Sequence, residues 1–287
     1  MKIKHLVRAL IIASATFSSA SALAEGHVNS PVRVAIDHQG IPYVQKDDSL
    51  GAWQQAALPY GQKAVAASGG YFHYHFGTSP DDPGYAYYEG ATFSVSESGN
   101  AFRYQDDNWQ PVTGCWGATD VSSFTVDHVY CVNGDGTLKK FNDDTENFEG
   151  SYRIDNEVIT KIDVALGGEI WAITESDKLF KFNGVSWEQQ SLACGKLCTL
   201  KDIAVGSGQV YLVASVYGSN DGPQSVYTLN NGELVKFGAF YNIDVDRDGV
   251  IWAISNYTRT LFYKRPGMSE FAEDAQMNQR VSSSIGG

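Results

Sequence analysis

Residues 170–190, IWAITESDKLFKFNGVSWEQQ, decide the fold because the chain contains a second copy of their pattern. Residues 92–112, TFSVSESGNAFRYQDDNWQPV, align with them without a gap, and most positions keep their chemical character. Internal self-similarity is the signature of a repeat architecture, so the chain is interpreted as an array of similar units. The identical pairs include Glu97 with Glu175, Ser98 with Ser176, Phe102 with Phe180 and Trp109 with Trp187.

A shorter motif precedes the first one and recurs at intervals of roughly 40 residues. It reads KIDVALGGEIWAI from Lys161, DIAVGSGQVYLV from Asp202 and NIDVDRDGVIWAI from Asn242, and residues 119–148 repeat the theme more loosely. Each unit divides into four short strands separated by Gly-containing or polar turns. Helical periodicity is absent, and the continuously apolar IWAI is typical of a strand that is buried on both faces.

These units predict an all-β fold, a β-propeller of four-stranded antiparallel blades whose radial arrangement removes exposed sheet edges. We expect six blades, with five as the alternative. The last unit lacks a Trp strand after Tyr263, whereas residues 52–55, AWQQ, resemble such a strand near the other end of the chain. The ring is therefore expected to close by joining strands from both termini.

The pattern D-I-x-V-G-x-G-x-[VI]-[WY], followed by an aromatic strand and a Trp, resembles the tectonin repeat. The resemblance covers about residues 32–264, strongly in the later units and weakly at the start. It implies a lectin-type propeller that binds bacterial or host saccharides. The chain departs from the pattern by an insertion containing SPDDPGYAYYEG, in the unit that begins at Lys63, and by the missing Trp strand after Tyr263.

Residues 1–24 have the pattern of a secretory signal peptide. Basic residues precede the apolar stretch 9–15, and Ala22-Leu23-Ala24 forms a small-residue cleavage site before Glu25. No Cys follows this site to accept a lipid anchor, and no later apolar run is long enough to cross a bilayer. We therefore expect a secreted or periplasmic protein, with one propeller over residues 25–267 and a polar, strandless, mobile tail over residues 268–287.

The charge balance of the chain is strongly acidic. The formal net charge is −12, and it becomes about −15 once the basic residues of the signal peptide are removed. A surface of this sign repels nucleic-acid phosphates and anionic lipids, so nucleic-acid binding is disfavoured. A hydrophobic content of 43% with 19% charged residues is enough for a large core and argues against a disordered chain.

The cysteines of the chain are Cys115, Cys131, Cys194 and Cys198. An even number of cysteines in an oxidising compartment predicts disulfides, and four cysteines allow three connectivities. We favour Cys115 with Cys131 and Cys194 with Cys198. A zinc site is disfavoured because neither spacing is C-x2-C and no His clusters nearby.

One stretch has the spacing of a calcium-binding loop. Asp244, Asp246 and Asp248 are followed by Gly249, which places alternate carboxylates where a hard cation takes its ligands. Ser255 stands where a calcium loop carries its bidentate Glu, so a plain strand-to-strand turn is the alternative.

His73 and His75 face the same way if they lie on one strand, so this pair is a second candidate for metal binding. A third ligand is not evident from the sequence. Packing or hydrogen bonding on a Tyr-rich strand is the alternative for these two side chains.

The best candidates for ligand binding are aromatic residues outside the repeat register. Trp116 lies in the Gly-rich connection TGCWGATD, and the insertion carries Tyr85, Tyr87 and Tyr88. Flat aromatic faces suit sugar rings, and loops on a rigid scaffold commonly carry recognition, although these residues would also serve to cover blade ends. The tryptophans that recur at repeat positions are instead interpreted as core residues: Trp53, Trp109, Trp171, Trp187 and Trp252.

The sequence contains no G-x-S-x-G, Walker A, H-E-x-x-H or Rossmann pattern. The equivalence of Glu97 and Glu175 follows from the repeat and does not define a glycosidase pair. We therefore expect an exported, non-enzymatic binding module without a cofactor other than calcium, and its leading ligand is a glycan or glycosylated surface. The alternatives are a protein-interaction scaffold and a propeller hydrolase with a metal in its channel.

Overall fold

The structure is a computed structural model. It describes residues 33–45, 52–69, 71–76, 85–165, 167–193, 198–206, 208–216, 224–246, 249–277 and 281–286, and the predicted signal peptide lies outside these ranges. For residues 71–76, 85–90 and 281–286 the description is confined to the backbone. Among the described residues, no helix is long and apolar enough to span a membrane.

The fold is a six-bladed β-propeller in which every blade is a four-stranded antiparallel sheet, as the repeat predicted. The strands of each blade are given from the innermost to the outermost. Blade 1 consists of β26 (Val281–Gly286), β1 (Arg33–Asp37), β2 (Pro42–Gln45) and β3 (Gln54–Gln55), and blade 2 of β4 (Ala64–Ser68), β7 (Phe93–Ser96), β8 (Ala101–Gln105) and β9 (Asn108–Val112). Blade 3 consists of β10 (Asp120–Ser123), β11 (Val129–Val132), β12 (Leu138–Asn142) and β13 (Asn147–Tyr152).

The last three blades follow the same order. Blade 4 consists of β14 (Ile159–Val164), β15 (Ile170–Thr174), β16 (Leu179–Phe182) and β17 (Trp187–Gln190). Blade 5 consists of β18 (Cys198–Gly206), β19 (Gln209–Val216), β20 (Ser225–Asn230) and β21 (Glu233–Gly238). Blade 6 consists of β22 (Phe240–Val245), β23 (Ile251–Ser255), β24 (Leu261–Lys264) and β25 (Ala272–Glu273). The insertion in blade 2 forms a separate hairpin of β5 (Tyr71–Phe76) and β6 (Tyr85–Gly90).

The second strand of each blade is buried on both faces because the neighbouring blades cover it. All five residues of β15, IWAIT, are buried. Trp171 of blade 4 shares one core cluster with Leu212 of blade 5, whereas Ile170 of the same strand shares another with Tyr130 of blade 3. Alternate side chains of one strand thus pack into opposite neighbouring blades, which explains why the sequence does not alternate between apolar and polar residues.

The recurring tryptophans belong to these cores, as predicted. Trp109, Trp171 and Trp252 are buried, and Trp53 and Trp187 are partly buried against core clusters.

The inner strands surround the ring axis in the order β26, β4, β10, β14, β18 and β22, and each contacts the next. Side chains on one inner strand hold the backbone of the following one. The Ser68 hydroxyl accepts a hydrogen bond from the Ser123 amide at 2.8 Å, and Asp120 Oδ2 accepts one from the Ile162 amide at 2.9 Å. These bonds replace the backbone ladder that diverging inner strands cannot form.

The ring closes by strands from both termini, as predicted, but the expected partners were wrong. Residues 52–55 supply β3, the outermost strand of blade 1, whereas blade 6 has its own outermost strand, β25. The C-terminal strand β26 pairs with β1 and becomes the innermost strand of blade 1. The expectation of a strandless segment over residues 268–287 is wrong, because β25 and β26 lie in it. The sequence of β26, VSSSIG, lacks a continuous apolar pattern because an inner strand borders the polar channel.

Trp53 nevertheless contacts the last blade. Its indole Nε1 donates to Asp274 Oδ2 at 3.0 Å, and its ring packs edge-on against Trp252 with the centroids 6.0 Å apart. Trp53 directly precedes β3, the fourth strand of blade 1, as Trp109 and Trp187 stand on the fourth strands β9 and β17, so the match of residues 52–55 to a Trp strand belongs to blade 1 itself.

The antiparallel order gives the ring two distinct faces. All inner strands run in the same direction, and we call the face where they begin the top face and the face where they end the bottom face. Connections between blades and turns between second and third strands lie on the top face. The connections between first and second strands, including the β5–β6 hairpin, lie on the bottom face.

We expect a chain that ends at Met277, without β26, to lose about 3 kcal/mol or more of unfolding free energy. The loss follows because β1 becomes an open edge and gives up several backbone hydrogen bonds worth about 1 kcal/mol each. Urea unfolding followed by tryptophan fluorescence measures this change. A chain that lacks only Gly287 is the matched control, and equal midpoints for the two chains would contradict the closure role of β26.

Candidate functional site

The central channel carries a set of polar side chains at two levels along the ring axis. At the upper level, nearer the top face, the inner-strand residues are paired in register with aliphatic residues of the second strands. Asp120, Lys161, Asp202 and Asn242 are the register partners of Val132, Ile173, Val213 and Ile254, in that order. At the lower level the pairing positions are aromatic: Ser68, Ser122, Asp163 and Asp244 pair with Phe93, Tyr130, Trp171 and Trp252. All eight inner-strand residues line one cavity. Alternate positions of successive inner strands therefore converge on the channel.

The upper level contains the only lysine among the described residues that line this cavity. Lys161 Nζ donates to Asp120 Oδ1 at 3.2 Å, and the other oxygen of Asp120 accepts from the Ile162 amide. Although burial opposes the charge, the carboxylates of Asp120 and Asp202 raise the pKa of Lys161 above its ordinary value. The Lys161 side chain is therefore protonated and forms an ion pair with Asp120.

Burial raises the pKa values of two further channel carboxyl groups. That of Asp163 rises to about 6, although the Ser122 hydroxyl donates to Oδ1 at 2.9 Å and the Val205 amide donates to Oδ2 at 2.5 Å. That of Asp202 rises to about 7, because burial and the nearby Asp120 outweigh the attraction of Lys161. The channel therefore changes its charge near neutral pH.

Blade 6 contributes a carboxyl and an amide with incomplete hydrogen bonding. Burial and the carboxylates of Asp163 and Asp246 raise the pKa of Asp244 well above its ordinary value. Asn242 donates through Nδ2 to Asp202 Oδ2. The Oδ2 of Asp244 and the Oδ1 of Asn242 are inaccessible to solvent and have no hydrogen-bond partner in the described part of the chain. Acceptors thus outnumber donors on this side of the channel.

The predicted calcium loop is divided between two roles. Asp244 lines the channel, whereas Asp246 forms a buried ion pair in which Arg33 Nε lies 2.8 Å from Oδ2. Asp246 also accepts from the Val250 amide and the Trp252 indole, so protein donors take up its oxygens. Asp248 lies outside the described residues, and within those described no three His, Cys, Asp or Glu residues are placed to hold a metal. Calcium binding stays a prediction.

Trp116 stands on the top face, in the connection from β9 to β10, with 68% of its surface exposed. The predicted disulfide between Cys115 and Cys131 is confirmed and anchors this connection to β11. The Trp116 amide donates to Asn133 Oδ1 at 2.6 Å, and the Trp116 carbonyl accepts from the Gly134 amide at 2.9 Å. The loop is therefore held firmly while its indole faces solvent.

A close approach of three turns explains the glycines around Trp116. A Cβ atom on Gly99 would lie 2.4 Å from the Cα of Gly117, and one on Gly134 would lie 2.9 Å from the Gly117 carbonyl oxygen. Gly99 and Gly117 also have positive φ angles, which side chains disfavour. Only glycine lets the blade connection fit between the turns of blades 2 and 3.

The structure does not bring the predicted aromatic residues together. Tyr85, Tyr87 and Tyr88 lie on β6, which follows the end of the inner strand β4 and belongs to the bottom face. Trp116 precedes the inner strand β10 and belongs to the top face. The predicted aromatic residues therefore lie on opposite faces of the ring, and their role in ligand binding stays a prediction. His73 and His75 lie on β5 of the same hairpin, and their side chains lie outside the described part.

The second predicted disulfide is described at one end only. Cys198 is disulfide-bonded. Its predicted partner, Cys194, lies outside the described residues.

Sequence reasoning missed the channel. Asp163 and Asp202 stand in the repeated motifs that identified the blades and were given no role of their own, and Asp244 was considered only as a calcium ligand. The available signal was the recurrence of an Asp next to aliphatic residues in the motifs KIDV, DIAV and NIDV, since a buried carboxylate is costly without a role.

Comparisons with known proteins support the fold. No family model and no curated protein sequence matches the chain. A solved structure described as a streptogramin B lyase is similar with a TM-score of 0.53 and 11% identity, covering 89% of this chain and 86% of its own. Another, described as YCF48 bound to a D1 peptide, has a TM-score of 0.51 and 10% identity and covers 86% of this chain and 79% of its own. At these identities the likeness shows the β-propeller fold alone.

We expect replacement of Cys115 and Cys131 by alanine to lower the unfolding free energy by about 3 kcal/mol. The expected loss follows from the loop that the disulfide closes, since the two cysteines are 16 residues apart. Urea titration of the double variant and of the parent protein measures it. A loss below about 1 kcal/mol would show that the turn contacts hold the loop without the disulfide.

We expect Asp202 to make the unfolding free energy fall as the pH rises from about 4 to about 7. Its pKa is about 7 in the folded protein and 3.8 ordinarily, so the folded state binds more protons in this window. His128 acts in the opposite direction, because burial lowers its pKa. The test is therefore the difference in urea midpoint between the parent and Asp202→Asn across this range.

The difference should grow in favour of Asp202→Asn with rising pH. Asp106→Asn, at an exposed turn between β8 and β9, is the matched control and should show no such trend. A pH-independent difference for Asp202→Asn would contradict the raised pKa.

Proposed function

We propose that the protein is an exported, non-enzymatic propeller that recognises another protein by docking a positively charged segment on its top face around Trp116. The observation that carries this proposal is the indole of Trp116, which is exposed to solvent on a connection held by a disulfide and by two neighbouring turns. Tryptophan is strongly enriched among the residues that dominate protein interfaces.

Preorganisation of the Trp116 loop strengthens the case for recognition. A loop that is ordered before binding loses less conformational freedom when the partner arrives, so binding costs less entropy. Tyr60, between β3 and β4, and Tyr257, between β23 and β24, are also strongly exposed on the top face. The top face thus offers several aromatic side chains on connections of a rigid ring.

The charge of the protein favours a basic partner. Exposed carboxylates occupy the top-face turns of three successive blades, at Glu97, Asp135 and Glu175. Hydrogen bonds from Thr137 and Asn133 hold the pKa of Asp135 well below its ordinary value, so this group is ionised beside the Trp116 loop. With a net charge of −12, the protein attracts cationic segments and repels anionic glycans.

The similar solved structures support more than one kind of function for this fold. The YCF48 structure holds a peptide, which supports peptide recognition by a propeller of this shape. The streptogramin B lyase is an enzyme, so the fold alone leaves catalysis open. We favour binding because the sequence contains none of the catalytic patterns considered above.

Export is supported by two independent features. The signal-peptide pattern of residues 1–24 directs a chain out of the cytosol. The disulfide between Cys115 and Cys131 is a linkage that persists in oxidising compartments.

The proposal is tested with arrays of 12-residue peptides that vary in charge, together with a glycan array. We expect the parent protein to bind basic peptides with an affinity that falls as salt is added, and Trp116→Ala to lower that affinity at least about tenfold. Val185→Ala is the matched control, since Val185 is 90% exposed on the bottom face, between β16 and β17.

Equal peptide affinity for Trp116→Ala and Val185→Ala would contradict the proposal. Binding to uncharged glycans alone, lost in Trp116→Ala, would replace it by the lectin function that the tectonin resemblance implies.

A further inference from the structure

The blade 6 side of the channel holds two acceptors that the described residues leave unsatisfied. Asn242 is only 5% exposed and lines the cavity together with Asp202 and Asp244. Its Oδ1 and the Oδ2 of Asp244 are inaccessible, and neither receives a hydrogen bond from the described part of the chain. Buried acceptors in proteins are nearly always paired, so this pair indicates a donor beyond the described residues.

The repeat shows which kind of donor suits this position. Lys161 pairs with Ile173 in blade 4, and Asn242 pairs with Ile254 in blade 6, so the two residues occupy equivalent places on their inner strands. In blade 4 the lysine supplies an ammonium group to Asp120 at 3.2 Å. In blade 6 the equivalent residue is an amide, so its strand brings a carboxylate to the channel without a matching cation.

We propose that the channel binds a primary ammonium group, which donates hydrogen bonds to Asn242 Oδ1 and Asp244 Oδ2 and is neutralised by the carboxylates of Asp244 and Asp202. An ammonium carries three N–H donors and one positive charge in a compact group, which matches an amide oxygen and a carboxylate oxygen on the same side of one strand. The site lies inside the ring and does not depend on the Trp116 surface.

Two other cations fit these residues less well. Calcium takes six to eight oxygen ligands, whereas the described residues contain no group of three acidic, His or Cys side chains placed around one point. A guanidinium prefers a carboxylate with both oxygens free. Asp202 already accepts from Asn242 and from its neighbour Ile203, and Asp244 accepts from the Val245 amide.

Ligand binding is expected to compete with a proton. Burial and the facing groups Asp163, Asp202 and Asp246 raise the pKa of Asp244, and Arg33 neutralises Asp246. Burial also raises the pKa of Asp202 to about 7, so an arriving ammonium competes with protons at these carboxyl groups. Affinity for the ammonium should accordingly rise with pH.

Calorimetric titration of the full-length processed protein with methylammonium tests the proposal directly. Tetramethylammonium, which has the charge but no N–H donor, and calcium chloride are the comparison ligands. We expect methylammonium to bind more tightly at pH 8 than at pH 6 and tetramethylammonium not to bind. Binding of calcium without methylammonium, or of neither, would overturn the proposal.

A second titration identifies the source of the ammonium. Acetyl-lysine methylamide, with a free side-chain amine, presents the group on a long stem, as a partner protein would. Tighter binding of this compound than of methylammonium indicates a lysine side chain inserted into the channel, and the reverse order indicates a free small amine. Binding of either compound supports the ammonium site.

Variants separate this site from the rest of the molecule. Asp244→Asn should weaken methylammonium binding at least about tenfold, while Asp106→Asn on an exposed turn should not change it. Asn242→Lys places an ammonium at the position equivalent to Lys161, so it should abolish methylammonium binding and raise the melting temperature. Circular dichroism of each variant checks the fold.

Unchanged methylammonium affinity in a folded Asp244→Asn or Asn242→Lys variant would contradict the assigned residues. Trp116→Ala should bind methylammonium like the parent, so this proposal and the peptide-binding proposal fail separately.

Discussion

Each blade has two apolar faces, and no residue within the same sheet can cover them. The structure resolves this constraint by placing every sheet between two others, so that Trp171 packs toward blade 5 while its neighbour Ile170 packs toward blade 3. A linear stack of sheets would leave two faces exposed at its ends. Only a closed ring covers all of them, and β26 completes blade 1 between blades 6 and 2 by pairing with β1.

Ring closure also decides what the centre of the molecule is like. Inner strands that diverge around an axis cannot continue one backbone ladder, so Ser68, Asp120 and Asp163 accept hydrogen bonds from the next strand along. Polar side chains are needed for this role, and the channel is polar for that reason. The same requirement collects carboxyl groups in a confined space, where burial raises the pKa values of Asp163 and Asp202 to about 6 and 7.

The two proposed sites follow from different parts of this architecture. The Trp116 surface depends on a blade connection, where a disulfide and closely packed glycines hold an indole in solvent. The ammonium site depends on the inner strands, where Asn242 of blade 6 stands in the place of the blade 4 lysine that neutralises Asp120 of blade 3. Both sites are proposed to bind a positively charged group, and the negative net charge of the protein attracts such groups.

The sequence by itself determined the properties that depend on neighbouring residues along the chain. The repeated IWAI and Trp patterns predicted four-stranded blades and core tryptophans, and the spacing of cysteines favoured the bond between Cys115 and Cys131. Strand alternation and turn chemistry are local, so they can be read from one segment at a time.

Only the tertiary structure decided which distant segments meet. It paired β26 with β1, brought Arg33 to Asp246 and placed Trp116 and the β6 tyrosines on opposite faces. It also converted carboxylates from four separate blades, at Asp120, Asp163, Asp202 and Asp244, into the lining of one cavity. The physical reason is that the ring fixes the direction of every inner strand relative to a common axis, and no single repeat contains that axis.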